Sequence, residues 1–492
     1  MTPSLGLRGW LRLPVLALAS LSWSFVSATS HSFENTAIVR TVDLGGSLVH
    51  VTTTYAIRAL DNGAQQYLVT LGEKEAHSTS WFEAKLKGQN EPLTIATRPL
   101  IPHDGTYAYI VDLPKPLGVN GTVNLVVESV LTHTTYPWPE KASQKDEQSL
   151  KYEGDLLVLS PYRTATQRIK VRAPAPRIIS YTTPKGLDAF TTDNVATKSS
   201  ATITYGPFSN IPPSASTAFI EEHQKHIVVH YYFEHPVVEI TSLKRTAEIS
   251  HWGANLNIQN DIDLHNAGPA LKGHFARIEH QSQSYFNRLA PHIIPSLTFH
   301  LPPGIHSAYY YDLNGNVSTS RLRLTPSIPK AAQMKQYSTL ELRPRYPLLG
   351  GWNYTFTLGW DSPLADSAGY DASTGLYVVS VPVQTVIPGA VVNQAEVKII
   401  LPEGATDIGV FPPFSPLAQE RSTHITYLDT IGRPSVALSF ENLTDKHNGL
   451  IYVTYKVPLS AHLQKPKAVS IAFGVLFLVA FLARRVDLSL SK

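Results

Sequence analysis

Apolar and polar residues alternate with a period of two through most of this 492-residue chain. The segments AIVRTVDL, SLVHVTTTYAI, TVNLVVESV, KHIVVHYYF, GLYVVSVPV and EVKIILPEG place alternate side chains on one face, the pattern of a half-buried strand. Turn residues separate these runs and 36 prolines punctuate the chain. Long helical periodicity is scarce outside the two ends. The pattern predicts a mainly β protein with two tandem antiparallel β-sandwich-like domains. Each domain must bury a sizeable core, because the chain has no cysteine to staple a small one. Thiol chemistry and cysteine-type zinc sites are excluded for the same reason. A formal net charge of +3, without a dense Lys/Arg cluster in the body, argues against a nucleic-acid partner.

The two ends break the alternation. Arg8 and Arg12 precede an apolar stretch from Leu13 to Val26, and Val26-Ser27-Ala28 offers small residues for cleavage. That order reads as a secretory signal over residues 1–28, with the mature chain starting near Thr29. Near the other end, Ala468 to Ala483 holds no charged residue, and Lys467 and Arg484 flank it. As a helix this run spans about 24 Å, and snorkelling by its flanking cations extends the usable length. A membrane span over 468–483 is predicted. A buried core helix is an alternative, but the run has no polar face beyond Ser470. A glycolipid-anchor signal is another, but Arg484 and Arg485 follow the run, where such a signal would end. Signal and late span give a single-pass type I topology. The predicted division is a signal at 1–28, lumenal β domains at 29–220 and 221–464, the span at 468–483 and a short cytosolic tail at 484–492.

The body reads as an internal duplication. LPKPLGVNGTVNLVV resembles RPRYPLLGGWNYTFTLGW, GDLLVLSP parallels GLYVVSVP, and QRIKVRAPAP parallels AEVKIILPEG, in the same order. The junction is expected near YGPFSNIPPSASTAF, where strand pattern gives way to Pro/Ser loop chemistry.

No catalytic constellation stands out. His223, His226, His230 and His235 are the densest histidine group. On a strand His226 and His230 would lie about 13 Å apart, too far for one ion. No metal site and no cofactor are expected. No H-E-x-x-H, G-x-S-x-G, phosphate loop or dinucleotide fingerprint is present. A carboxylate pair brought together by folding, as in a glycosidase, has no support from spacing. Four N-x-S/T sequons fall at Asn120, Asn316, Asn353 and Asn442, candidates for N-glycosylation in a lumenal body. The stretch Arg343, Pro344, Arg345, Tyr346, Pro347, Leu348, Leu349, Gly350, Gly351, Trp352 reads in two compatible ways. It is an extended entry and turn leading into an aromatic strand, or a contact surface of the Arg/Tyr/Trp type. His251, Trp252 and Gly253 form a second candidate for structural or interface packing.

Several of these segments together are identifiable. VRTVDLGGSLVHVT, VLTHTTYPWP with the following QKDEQ and YEGDLLVLSPY, ISHWGANLNIQNDIDLHNAGPALKG, YYYDLNGNVSTSRLR, RPRYPLLGGW and VKIILPEG resemble, in order, the ribophorin I family. The family is a type I membrane subunit of the oligosaccharyltransferase complex. The resemblance implies residence in the endoplasmic reticulum membrane and partnership with the other subunits, including a multi-spanning catalytic one. It also implies a role in handling nascent polypeptides. The complex transfers a preassembled glycan from dolichyl pyrophosphate to Asn of N-x-S/T. Its chemistry belongs to the catalytic subunit, which carries a W-W-D motif and a divalent metal. Trp360-Asp361 is only a fragment of that motif, so no active site is expected here. Animal members continue into a long cytosolic region, whereas nine residues follow Ala483 here, as in fungal-type members. A ribosome contact is therefore not carried over. Readings from other classes are a free-standing lectin or cargo receptor, and an unrecognised hydrolase.

Overall fold

The computed structural model describes residues 32–98, 106–191, 194–286, 288–326, 337–426 and 429–485. The predicted signal and the tail beyond Arg485 lie outside them.

Two large sheets organise the chain. The first contains β1 (Phe33–Asp43), β2 (Leu48–Ala59), β3 (Thr79–Leu86), β4 (Thr122–Thr132), β5 (Thr164–Arg172), β6 (Ala196–Ser199) and β7 (Thr202–Ile211), in the order β6-β7-β5-β1-β2-β4-β3. The second contains β8 (Val238–Ser250), β9 (Asn255–Asn266), β10 (His306–Asp312), β11 (Asn353–Pro363), β12 (Val391–Ile400), β13 (Ala418–His424) and β14 (Arg433–Leu443). Its order is β13-β14-β12-β8-β9-β11-β10, with the short strand Gly315–Asn316 at the β10 edge. The second order is the first with seven added to each label.

The smaller sheets repeat as well. Ala64–Gly72, Thr106–Leu117 and Ile95–Arg98 form a three-stranded sheet, matched by Leu297–Leu301, Ser338–Leu342 and Arg321–Arg323. A four-stranded sheet of Ile178–Tyr181, His226–Tyr232, Ser149–Asp155 and Thr135–Pro137 is matched by Thr406–Phe411, Leu450–Lys456, Leu376–Pro382 and Ala368–Asp371. Two of the sequence parallels fall on matching strands, β4 with β11 and β5 with β12. The third is out of register. GLYVVSVP covers the strand Leu376–Pro382, whose counterpart is Ser149–Asp155, whereas most of GDLLVLSP follows that strand. A short apolar run carries little register information of its own.

Alternation explains the layering. Along β2 and β9 every second residue is buried. In the first half, one face of the large sheet is covered end to end by the two small sheets. Phe33, Ile38, Tyr55 and Ile57 pack with Tyr67, Val69 and Val111 of the three-stranded sheet. Val42, Val51 and Ile169 pack with Tyr152, Ile227 and Val229 of the four-stranded one. The second half fuses the equivalent cores into one cluster.

Two features differ from the expected plan. Each large sheet is antiparallel except for one parallel pair, β1 with β5 and β8 with β12. Parallel neighbours need a long crossover, and here the connection carries strands of a smaller sheet. Second, His226–Tyr232 pairs with Ser149–Asp155 and Ile178–Tyr181. Strand pairing thus carries the first half to Tyr232, past the expected 220/221 junction, and YGPFSNI lies within β7.

The C-terminal helix runs from Leu459 to Arg485, and its apolar part is uncovered by the body. By length and composition it can cross a membrane.

Candidate functional site: the seam between the halves

The QKDEQ residues sit on this seam. Ala270–Leu271 of the second half pairs in parallel with Lys141–Ala142 of the first. Backbone bonds extend the pairing: Ala270 N donates to Glu140 O and Lys272 N to Ala142 O, both at 2.8 Å. Gln144, buried, bonds Ala276 in both directions, Nε2 to its carbonyl at 3.2 Å and Oε1 from its N–H at 3.1 Å. Lys145 pairs with Glu279. Gln148, also buried, donates to the carbonyls of His235 at 2.7 Å and Phe233 at 3.3 Å. A planar amide offers donors and an acceptor, which suits it to satisfying backbone groups from another segment.

Segment 343–352 lies behind this pairing. Asn266, fully buried at the end of β9, donates from Nδ2 to His292 O at 2.7 Å and Leu348 O at 3.0 Å. Its backbone accepts from Gly351 N at 2.7 Å and donates to Trp352 O at 3.0 Å. A Cβ on Gly350 would stand 2.0 Å from Pro269 O, so no side chain fits there. Gly351 has φ +79°, the left-handed region that glycine adopts freely. Leu349 packs with Ala290 and Ile293, and Trp352 lies against that group and Phe275. Tyr346 is partly exposed and touches Trp352 and Tyr354 edge-on, while Pro347, between Tyr346 and the buried Leu348, is half-buried. Arg345 Nε donates to Asp312 Oδ2 at 2.6 Å, and its terminal nitrogen to the carbonyls of Gly315 and Asn316 at 3.0 Å. Burial would raise the Asp312 pKa, but Arg345 outweighs it and holds the carboxyl below its ordinary range. Arg343 is exposed and bonds Glu341.

A second part of the seam joins β3 and β4 to the segment after β14. Trp81 meets His447 edge-on at 4.9 Å, Lys446 pairs with Glu128 at 3.1 Å, and Ser80 Oγ donates to Asn442 O. Leu48, Val130 and Val391 form a small shared core there.

The other candidate, His251 to Gly253, lies elsewhere. His251 packs among Tyr377, Tyr455 and His462, with Nε2 2.8 Å from the Tyr455 hydroxyl. It ties the second half to the start of the C-terminal helix rather than joining the halves. Burial, with His462 nearby, pushes its pKa down to about 4. Trp252 is 64% exposed. Gly253 N donates to Ser250 Oγ at 3.1 Å.

Asn120, Asn316 and Asn353 are exposed, and Asn442 is half-buried. In the histidine group, His226 faces Glu153 and Asp155, His230 contacts Trp138 O and Ser149 Oγ, and His223 packs on Phe190 and Phe219. Trp360 is fully buried, and Asp361 Oδ1 accepts from Asn255 and Asn257 at 2.8 Å, so that pair serves the sheet. Among the described residues no group of three or more His, Asp or Glu side chains is placed to hold a metal. Most polar groups of the seam bond one another, which suits holding rather than reacting, although Gln148 Oε1 and both ring nitrogens of His292 are buried with no hydrogen-bond partner among the described residues. Sequence reasoning assigned no role to Gln144, Gln148 or Asn266. The signal was the pair of amides in QKDEQ, but their partners lie in other segments.

Fold and seam define a duplicated β body followed by a helix that can cross a membrane. Comparison with known proteins makes this specific. A profile of the Ribophorin I family matches residues 33–484, and the chain belongs to that family. It is 30% identical over 487 residues to dolichyl-diphosphooligosaccharide–protein glycosyltransferase subunit 1B of Arabidopsis thaliana, covering 97% of each chain. It is 30% identical over 460 residues to subunit 1 of Caenorhabditis elegans, covering 92% of this chain and 72% of that one. Native leukotriene A4 hydrolase from Saccharomyces cerevisiae superposes on 40% of this chain and 29% of its own, at a TM-score of 0.24 and 9% identity, too little to support an argument.

Proposed function

We propose that this chain is the first subunit of the endoplasmic reticulum oligosaccharyltransferase complex, an accessory rather than catalytic member. It supports transfer of a preassembled glycan from dolichyl pyrophosphate to Asn of N-x-S/T. The observation that carries this reading is the likeness to subunit 1B over 97% of both chains, together with a family match that runs through residues 33–484. In this reading the β body lies in the lumen on a single span, contacts the other subunits and the multi-spanning catalytic one, and helps present nascent polypeptides. Support for a bracing role comes from the seam, whose amides and glycines fix two homologous halves as one body. The exposed edge strand β13 offers backbone groups that an extended polypeptide can pair with.

The test is affinity purification of the tagged full chain from mildly solubilised membranes, with mass spectrometry of what accompanies it. Stoichiometric recovery of a multi-spanning glycosyltransferase is expected. Recovery of the chain alone, under conditions that keep that complex intact, rejects the assignment and reopens the lectin and hydrolase readings.

A further inference from the structure

The body corner nearest the membrane span is arranged inside out for a surface in water. The connection between β13 and β14 exposes Ile425 (72%) and Ile431 (62%), yet the Asp429 side chain within it is fully buried. Asp429 accepts from Thr426 N and Oγ1 at 2.9 and 2.7 Å, from Arg433 Nε at 3.2 Å and from Lys465 Nζ at 2.8 Å. Glu403, 5% exposed, accepts from the backbone N–H groups of Thr430 and Ile431 at 2.6 and 2.8 Å. Glu248 pairs with Arg433. Asp429 and Glu403 are thus drawn inward onto Lys465, Arg433 and backbone N–H groups, and Glu248 is held by Arg433, while large apolar side chains point outward. In an aqueous loop the reverse is expected, because exposing a carboxylate costs nothing and exposing isoleucine does.

The corner is fixed to the helix. Lys465, which holds Asp429, lies three residues before the apolar run that starts at Ala468, about 4.5 Å along a helix. Ala461 packs on Gly404, and His462 stacks on His251. Trp252 lines the same small cavity as His462 and Lys465, and remains 64% exposed. Tryptophan beside the end of a span is the side chain best suited to the headgroup layer, where an apolar ring and a polar N–H are both accommodated.

We infer that Trp252, Ile425 and Ile431 form a membrane-contact surface that enters the headgroup region beside the span. The occupant is the lipid bilayer, because the patch is continuous with the helix that crosses it and the Asp429 and Glu403 carboxylates beside it are buried away from the headgroups. The contact holds the second half at a set height and tilt on the membrane, which a single flexible stalk would not do.

The cysteine-free sequence makes the test clean. Full-length Trp252→Cys and Ile431→Cys chains are labelled with an environment-sensitive nitrobenzoxadiazole dye and reconstituted in phosphatidylcholine nanodiscs. Leu476→Cys within the span and Ile278→Cys, 85% exposed on the seam-side helix Arg277–Tyr285, are the references. Lipid doxylated near the headgroup is expected to quench positions 252 and 431 at least two-fold and leave 278 unquenched. Behaviour at 252 and 431 like that at 278, with 476 in lipid, overturns the contact. Absence of a lipid signal at 476 overturns the span on which the inference rests. In native membranes, a photocrosslinker at 431 that captures a protein chain in place of lipid also overturns it.

Discussion

Arg40 and Arg245 occupy matching positions in the two copies of the large sheet, and only Arg40 has a carboxylate partner. Arg40 stands opposite Ile169 of β5 in the parallel pairing, and Arg245 opposite Val397 of β12. Both are followed by Thr, an apolar residue and an acid, in RTVD and RTAE. Arg40 lies between the two cores of the first half and meets Glu75 at 2.9 Å. Arg245 is fully buried and donates to Asn260 Oδ1 and Pro382 O at 2.7 Å and to Thr385 Oγ1. Its burial pushes the guanidinium pKa down to about 9.

Arg40→Met leaves the Glu75 carboxylate buried without its partner and is expected to cost about 3–5 kcal/mol. Adding Glu75→Gln is expected to restore a measurable part of that loss. Arg245→Met strands only neutral acceptors, at about 1–3 kcal/mol. Denaturant unfolding of the full chain in detergent ranks the variants, and an Arg245→Met cost above that of Arg40→Met contradicts the account.

The two tryptophans singled out in the sequence separate by environment. Trp352→Ala removes a ring packed on Phe275 and Tyr346 and is expected to destabilise the second half by about 2–4 kcal/mol. Trp252→Ala, on an exposed side chain, is expected within about 0.5 kcal/mol. Gly350→Ala drives a methyl into Pro269 O and is expected to open the seam, read as faster proteolysis near residues 140–148 and 268–276. Equal melting temperatures for Trp352→Ala and the parent chain rule out the packing role.

Acid weakens the body through buried histidines. His447, against Trp81, accepts at Nδ1 from Thr444 N at 3.1 Å, which requires its neutral form. Burial pushes its pKa to about 4, and that of His251 to about 4 as well. An unfolded histidine titrates near 6.5, so between about pH 6.5 and 4 the unfolded chain binds more protons than the folded one. Their contribution to stability is present above that window and is lost as pH falls through it. His447→Gln is expected to flatten the decline in melting temperature from pH 7 to pH 5, and an unchanged slope excludes His447 as a source.

The sequons differ in how they accommodate a glycan. Asn120 sits at φ +62° in an exposed turn, and Asn316 is exposed. Asn353 is exposed with its Oδ1 accepting from His265 Nδ1 at 2.5 Å, which leaves Nδ2 for attachment. Asn442 is half-buried at the seam, with Thr444 of its sequon 1% exposed. Glycopeptide mapping is expected to find glycans at the first three and Asn442 unmodified. A predominantly glycosylated Asn442 places that segment outside the seam.

Much of the architecture was written locally. Period-two alternation marks β1, β2, β4 and β12, because strand side chains point alternately to core and solvent whatever the strand pairs with. The apolar run from Ala468 to Ala483 marks the helix, because its composition fits a hydrocarbon solvent. The duplication was legible where strands match, as in RIKVR and EVKII, and slipped in GDLLVLSP. The pairings were not legible. Nothing beside Arg40 foretells Glu75, nothing beside Gln144 foretells Ala276, and nothing in DTIGRP foretells that Asp429 is bound to Lys465 at the foot of the helix. Such contacts depend on which distant segments the sheets bring together, and side-chain hydrogen bonds and ion pairs gain their strength only once that burial has excluded water.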